Sequence, residues 1–468
     1  MAAFKPAQQQ RWNFLAGFEA TMSVQGGRRI LRAWIALAIL SLAIAGLAAP
    51  LLALSRIPAI ADWGFWPVQA FEKGLILHVI FSFVIWLLAV FAALVHVATC
   101  RRLESGDAGY LLSRIAIWAM ATAFILLAYP AMTRALPSLN NYIPVIIHPA
   151  YYWGLGLIAL ALIATLVRFT LVYLAGDGAF EPVGWTAAAG GFVIIATLVC
   201  IGLSWQALGG APLTEAANED LFWAGGHALQ FLNVILLCGG WYVLGSLSLG
   251  KPALPPKLYR GCLAIAVAGV LPAIGFFFVF DPLSADHRIA YTLWQYGLAP
   301  APVIVGGAVM WSLWQARKNP SKHANARLAL LLSIVTFAIG GYFGLFVDGT
   351  DTRTPAHYHG VIGGLNIAAF GLILFVLLPL AGRTVAQSGW VRALFWLYAY
   401  GQIVHAASLF LAGGYGAPRK VAGEVAGLDA IGAQIGLYGT GVGGLLAVGG
   451  GVIFVVVTLK ALRRKQKP

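Results

Sequence analysis

The sequence predicts an all-α bundle that crosses a membrane twelve times, and three observations predict it. Of the 468 residues, 60% are hydrophobic and 10% are charged, with a mean hydropathy of +0.84; soluble domains carry about 25% charged residues. Twelve apolar runs reach the length of about 20 residues that a helix needs to cross the hydrocarbon core. No long polar stretch separates them, so residues 1–468 read as a single membrane-embedded domain.

The runs lie at 30–54, 74–98, 113–134, 144–172, 184–206, 221–248, 260–281, 289–315, 326–346, 357–381, 391–413 and 432–459, and are numbered spans 1 to 12. Each must be helical, because backbone facing lipid has to satisfy its own hydrogen bonds. Residues 1–29 are polar and lack a cleavable signal pattern. Residues 460–468 form a basic tail. In span 12 the run Gly439, Gly441, Gly443, Gly444, Gly449, Gly450 and Gly451 calls for close helix packing.

Charge sets the orientation. With twelve spans both termini share a side, and 23 of the 30 lysines and arginines fall on that side, among them Arg28, Arg29, Arg101, Arg102, Arg463 and Arg464. The other side holds Arg56, Lys73, Arg134, Arg288, Arg353, Arg419 and Lys420. The positive-inside rule then places both termini in the cytoplasm, in a bacterial inner membrane. The net charge of +14 is accounted for in this way and requires no nucleic-acid partner. The four cysteines, Cys100, Cys200, Cys238 and Cys262, form neither CxxC nor CxxCH, so covalent haem attachment and zinc sites are not indicated.

Histidines carry the chemistry. His78 in span 2, His227 in span 6, His357 and His359 at the start of span 10, and His405 in span 11 all fall in the outer half of the bilayer. Ionisable groups inside spans are uncommon and mark function. A layer of imidazoles in a bundle interior is what haem or a metal requires. In His357-Tyr358-His359 the two imidazoles are about 200° apart around the helix, so they can serve two different haems and not one shared metal. Interfacial histidines wetted by headgroups are the alternative reading of this pair.

With these residues in view, the chain resembles subunit I of the haem–copper oxidases, a twelve-helix family whose span 10 begins His-x-His. The resemblance implies that His78, in "GLILHVIFSFVIW", and His359 are the axial ligands of a low-spin haem. It implies that His357 binds a second, high-spin haem iron, and that His227, in "FWAGGHALQF", faces that haem from the distal side as a metal ligand or hydrogen-bonding group. His357 and His227 are thus the expected catalytic pair. Gly416-Ala417-Pro418-Arg419-Lys420 matches a family stretch between spans 11 and 12, which makes Arg419 and Lys420 expected partners of haem propionates. His405 is a candidate distal or propionate contact, or a packing residue. His148 is expected to cap a helix, and His96 and His323 to be structural.

The chain departs from the family where copper is held. Span 7 has no His-His pair; Phe276 and Phe277 occupy that level, and Asp286-His287-Arg288 reads as a loop. One imidazole makes a poor copper site. Phe231 and Leu229 stand where many members carry a tyrosine and a glutamate after the span 6 histidine, and span 8 has no lysine between Arg288 and Arg317. No glutamate cluster suggests a non-haem iron.

The expectation is therefore a respiratory membrane subunit with two haems of b type, one low-spin and one high-spin, and with copper in doubt. Oxygen reduction is the family default, and the chain would be a cytochrome c oxidase-like oxidoreductase if active. A nitric oxide-directed reductase or gas sensor is the alternative, and a transporter the remote one. With no soluble copper domain or c-type haem in the chain, an electron-donating partner subunit of cytochrome c or copper-domain type is expected.

Overall fold

A computed structural model describes residues 26–55, 69–100, 107–176, 181–318, 321, 323–347, 349–385, 388–420 and 430–464. The expected polar segment 1–29 lies outside them up to residue 25, as do Arg56, Arg101, Arg102, Lys322 and the tail beyond residue 464. Among the described residues, twelve helices are long and apolar enough to cross a membrane. They run Gly27–Leu54, Phe71–Cys100, Gly109–Met132, Pro149–Leu174, Pro182–Ala207, Glu215–Leu249, Pro256–Val279, Ala285–Gln315, Ala324–Phe346, Arg353–Leu380, Gly389–Gly414 and Ile431–Arg463, and these are spans 1 to 12 below.

Boundaries move where local chemistry overrides hydropathy. Span 4 starts at Pro149 and not at 144, because Pro149 suits a first helical position and His148 caps it, its Nδ1 accepting from Ala150 N at 3.1 Å. Val145–Ile146, assigned to the start of that span, instead pair antiparallel with Pro137–Ser138 in a short hairpin. Asp286, His287 and Arg288, expected as a loop, form the first turn of span 8, with Ser284 Oγ as cap accepting from His287 N at 3.2 Å. Span 10 starts at Arg353, which puts His357 and His359 one turn inside the helix.

Burial ranks the spans. In span 10, 89% of the apolar stretch is buried within the protein, in span 6 83% and in span 2 67%, against 28–56% elsewhere. The three most enclosed helices are therefore the ones that carry His357 and His359, His227 and His78. Around them, spans 11 and 12, 9 and 10, 3 and 4, and 5 and 6 pack as neighbouring pairs, and span 12 packs on span 1 to close the bundle. Small residues allow the closest approaches. A Cβ on Gly360 would meet the backbone of Gly340, so spans 9 and 10 touch main chain to main chain.

The two ends of the bundle differ. One joins His96 to Gly27 O, Arg32 Nε to Ala381 O and Ser321 Oγ to Ser248 O. The other, called the outer end here, carries the hairpin, Lys73, Arg288, Arg353, Arg419 and Lys420. There Asn141 donates from its backbone and side chain to the Glu219 carboxylate at 2.7 and 2.6 Å, and Arg419 Nη2 donates to Asn141 Oδ1 at 3.0 Å. Lys420 Nζ donates to Leu139 O. The hairpin is thereby bolted over span 6.

Candidate functional site: the histidine layer

Three buried polar side chains form a floor across the bundle. Trp86 Nε1 of span 2 donates to Asn366 Oδ1 of span 10 at 2.9 Å, and Asn366 Nδ2 donates to Tyr398 OH of span 11 at 2.9 Å. These contacts set the level of the histidines. His359 precedes Asn366 by seven residues, His405 follows Tyr398 by seven, and His78 precedes Trp86 by eight. Seven helical residues make close to two turns, a rise of about 10 Å, and return the side chain to within about 20° of the same face. Span 2 takes its eight residues through a wider π-helical segment, Ile80–Ile85, which rises less per residue. His78, His359 and His405 thus stand at one height, two turns above the floor toward the outer end. His359 shares a face with Asn366, and His405 with Tyr398.

His357 points the other way. Its Nδ1 bonds Gly340 O of span 9 at 2.8 Å, and a Cβ on Gly344 would sit 2.6 Å from the same nitrogen, so the ring lies flush against span 9. The His359 ring lies against span 11, its centroid 4.4 Å from that of His405. The two-residue spacing has put the two imidazoles on opposite sides of span 10.

Hydrogen bonds decide which nitrogen each ring offers. His78 Nδ1 bonds Ala45 O of span 1 at 3.2 Å, and His405 Nδ1 bonds Thr440 O of span 12 at 2.8 Å. A carbonyl oxygen only accepts, so in His78, His357 and His405 the proton sits on Nδ1 and the lone pair on Nε2. Histidines that ligate iron or zinc are oriented in this way.

Span 6 differs. His227 Nδ1 donates to Trp223 O at 2.8 Å, and its Nε2 accepts from Tyr142 OH at 2.9 Å. Its ring, 2% exposed, is walled by Tyr142, Trp223 and Tyr291 with centroids at 4.4, 4.7 and 5.6 Å. Tyr142 comes from the hairpin, where a left-handed turn (φ 62°) drives its ring against Gly226. Burial, reinforced by Glu219, pushes the Tyr142 phenol well above the ordinary tyrosine range and keeps the hydroxyl protonated. His227 lies within about one helical turn of the level of His357. It precedes Gly240 by 13 residues, His357 precedes Ala368 by eleven, and Gly240 faces Ala368.

The residues present fit a haem at the level of His78 and His359. From Val84 to Cys100 every residue of span 2 is buried, and from Gly363 to Leu378 every residue of span 10, whereas both helices are only partly covered at the level of His78 and His359. A flat apolar ring between two axial imidazoles suits that shape. Gln402, between Tyr398 and His405, keeps a buried Oε1 with no hydrogen-bond partner. Copper fits poorly. Both nitrogens of His227 are engaged, its neighbours are aromatic, and among the described residues no group of three or more His, Cys, Asp or Glu could hold a metal. His287 is buried behind Tyr291 and Phe277, ring centroids 5.0 and 4.7 Å away, and does not meet His227.

Residues 29–440 match the family model described as cytochrome C and quinol oxidase polypeptide I. The chain belongs to this family. Among relatives, an uncharacterized protein of Rickettsia prowazekii is 25% identical over 496 aligned positions, covering 92% of this chain and 95% of that one. An uncharacterized protein of Aquifex aeolicus is 29% identical over 356 positions, covering 74% and 83%. A solved heme-copper terminal oxidase dimer superposes with a TM-score of 0.78 at 17% identity, over 95% of this chain and 85% of that one, and shares the fold. The chain is a subunit I-like member of the heme-copper oxidase superfamily, an integral membrane protein with a respiratory oxidase-like role.

Several of these contacts have no signal in the sequence. Tyr142 sits in an asparagine-rich turn with no hydropathic signal, and only its fold contact makes it a partner of His227. Arg419 and Lys420, expected at propionates, bond the hairpin at Asn141 and Leu139, and burial next to Arg419 lowers the Lys420 pKa. His96, expected to be structural, joins Cys100 and Arg168 in a buried cluster at the opposite end, with Arg168 Nη1 2.6 Å from His96 Nδ1.

Proposed function

We propose that this subunit carries two b-type haems, with His78 and His359 as axial ligands of one and His357 as proximal ligand of the other. The observation that carries the reading is the placement of these imidazoles: His78 and His359 share a level, His357 lies on the opposite side of span 10, and Nδ1 of His78 and of His357 is tied to a carbonyl of a neighbouring helix, which leaves Nε2 as the ligating nitrogen. Haem iron supplies a one-electron couple and, where a coordination position stays open, a site for a diatomic gas. The chain's own residues do the rest. The apolar walls of spans 2 and 10 exclude water, and Ala45 and Gly340 fix the tautomers of their histidines. Span 10 links the two ligand sets through His357 and His359, which only Tyr358 separates in the chain, a short path for an electron. Arg419 and Lys420 hold the hairpin over the outer end, where carboxylates of a bound porphyrin would emerge.

On the distal side, Tyr142 donates to His227, which leaves His227 as a polar, hydrogen-bonding wall of the gas site in place of a copper ligand. This favours a gas-binding or nitric oxide-directed member over a copper-dependent oxidase, with oxygen or nitric oxide as ligand. The basic bias of the loops supports cytoplasmic termini in a bacterial inner membrane. An electron-donating partner subunit, of cytochrome c or copper-domain type, completes the path.

A reduced-minus-oxidised spectrum of the purified protein, repeated with carbon monoxide and paired with metal analysis, tests the reading. Two haems per chain, one shifted by carbon monoxide, with little copper, is the expected result. Stoichiometric copper would restore oxidase chemistry, and a protein without haem would end the proposal.

A further inference from the structure

His405 has no part in the ligand set proposed above, yet it is built into the same layer. Three observations on different elements place it there. It stands two turns above Tyr398 on the same face of span 11, and Tyr398 reaches Asn366, which stands two turns below His359 on the face of His359. Its ring centroid lies 4.4 Å from that of His359, with the planes at 71°, an edge-to-face contact. It is also anchored from behind. Nδ1 bonds Thr440 O at 2.8 Å, its backbone abuts Gly443, and a Cβ on Gly444 would come within 3.3 Å of Nδ1.

The tautomer gives the contact a sign. With its proton committed to the Thr440 carbonyl, His405 carries its lone pair on Nε2, at the edge turned away from span 12. An imidazole bound to ferric iron bears more positive charge than one bound to ferrous iron. A fixed lone-pair dipole beside it therefore stabilises the oxidised form, and the low dielectric of the interior strengthens the effect.

We infer that His405 is a positioning residue for His359, fixing the plane of that imidazole and holding the potential of the low-spin haem down. The inference rests on the haem reading above, and it concerns a residue that touches the ligand and not the iron.

The test uses the full-length protein in detergent, with haem content, low-temperature electron paramagnetic resonance and a potentiometric titration of the low-spin band. His405→Leu keeps the bulk and removes the dipole. Its expected result is a higher midpoint potential and altered low-spin g-values, with haem per chain and the carbon monoxide-reactive band unchanged. His405→Gln, which keeps an acceptor, should return the potential toward wild type. Gly444→Ala places a Cβ 3.1 Å from Ala53 Cβ and 3.3 Å from His405 Nδ1, crowding the ring without replacing it, and should move the g-values in the same direction to a smaller extent. It decides the matter should His405→Leu not accumulate. Unchanged g-values and potential in a haem-loaded His405→Leu, or in Gly444→Ala, overturn this inference alone. Absence of haem from the wild type would instead end the reading beneath it.

Discussion

Gly344→Ala perturbs one imidazole of the layer and leaves the others in place. Gly344 lies in the last turn of span 9 in ordinary right-handed backbone, so alanine brings no conformational strain of its own. Its Cβ would lie 2.6 Å from His357 Nδ1 and 2.8 Å from Cε1. Ordinary carbon contacts begin near about 3.4 Å, so the ring must retreat by about 0.8 Å or tilt away. The Nδ1 bond to Gly340 O, 2.8 Å long, cannot survive such a retreat at hydrogen-bonding distance. Overpacking costs about 1–3 kcal/mol and the lost bond about 1 kcal/mol, so stability should fall by roughly 2–4 kcal/mol. The spectroscopic effect should be selective. The carbon monoxide-reactive band should shrink or shift, because Nε2 of His357 is no longer aimed. The low-spin band should persist, because His78 and His359 are held by other helices. A carbon monoxide difference spectrum per haem, with thermal unfolding in detergent, reads both. A variant with the wild-type carbon monoxide spectrum would refute the assignment of His357, and equal loss of both bands would refute the separation of the two sites by span 10.

Two other predictions address the floor and the hairpin. Asn366→Leu removes an acceptor from Trp86 and a donor to Tyr398, leaving two buried groups unpaired, and should cost about 1–3 kcal/mol; a double-mutant cycle with Trp86→Phe, followed by thermal unfolding, should show that the two changes are not additive. Tyr142 has its phenol pKa raised by burial, so the folded state holds that proton more tightly than the unfolded one. Its stabilisation is complete below about pH 10, the ordinary tyrosine value, and is lost as pH rises beyond it. Tyr142→Phe should flatten that alkaline limb in a pH series of melting temperatures and shift the stretching frequency of bound carbon monoxide, since the donor to His227 is gone.

Much of this protein is legible in one dimension because the bilayer reads sequence in one dimension. Hydrocarbon penalises any unpaired backbone group, so apolar length alone dictates helix, and the twelve runs follow. The opposite faces taken by His357 and His359 follow from the 100° step of the helix. The absence of imidazoles in span 7 is equally plain in the residues themselves.

Depth and partnership are not written in that way. The level shared by His78, His359 and His405 depends on the Trp86–Asn366–Tyr398 bonds and on a π-helical segment in span 2, none of which has a periodic signature. Span 4 lost its expected start because a proline and a histidine cap outweigh the apolar stretch 145–147, of which Val145 and Ile146 pair in the hairpin. His227 met Tyr142 because that hairpin folds back over span 6, a contact between residues 85 positions apart. The sequence by itself determined the class, the span count and the residue types available to hold haem, since these are consequences of local chemistry and helix geometry. Only the tertiary structure decided which nitrogen each imidazole presents and what stands beside it, because tautomer and contact are set by carbonyls and rings that distant helices bring within 3 to 5 Å.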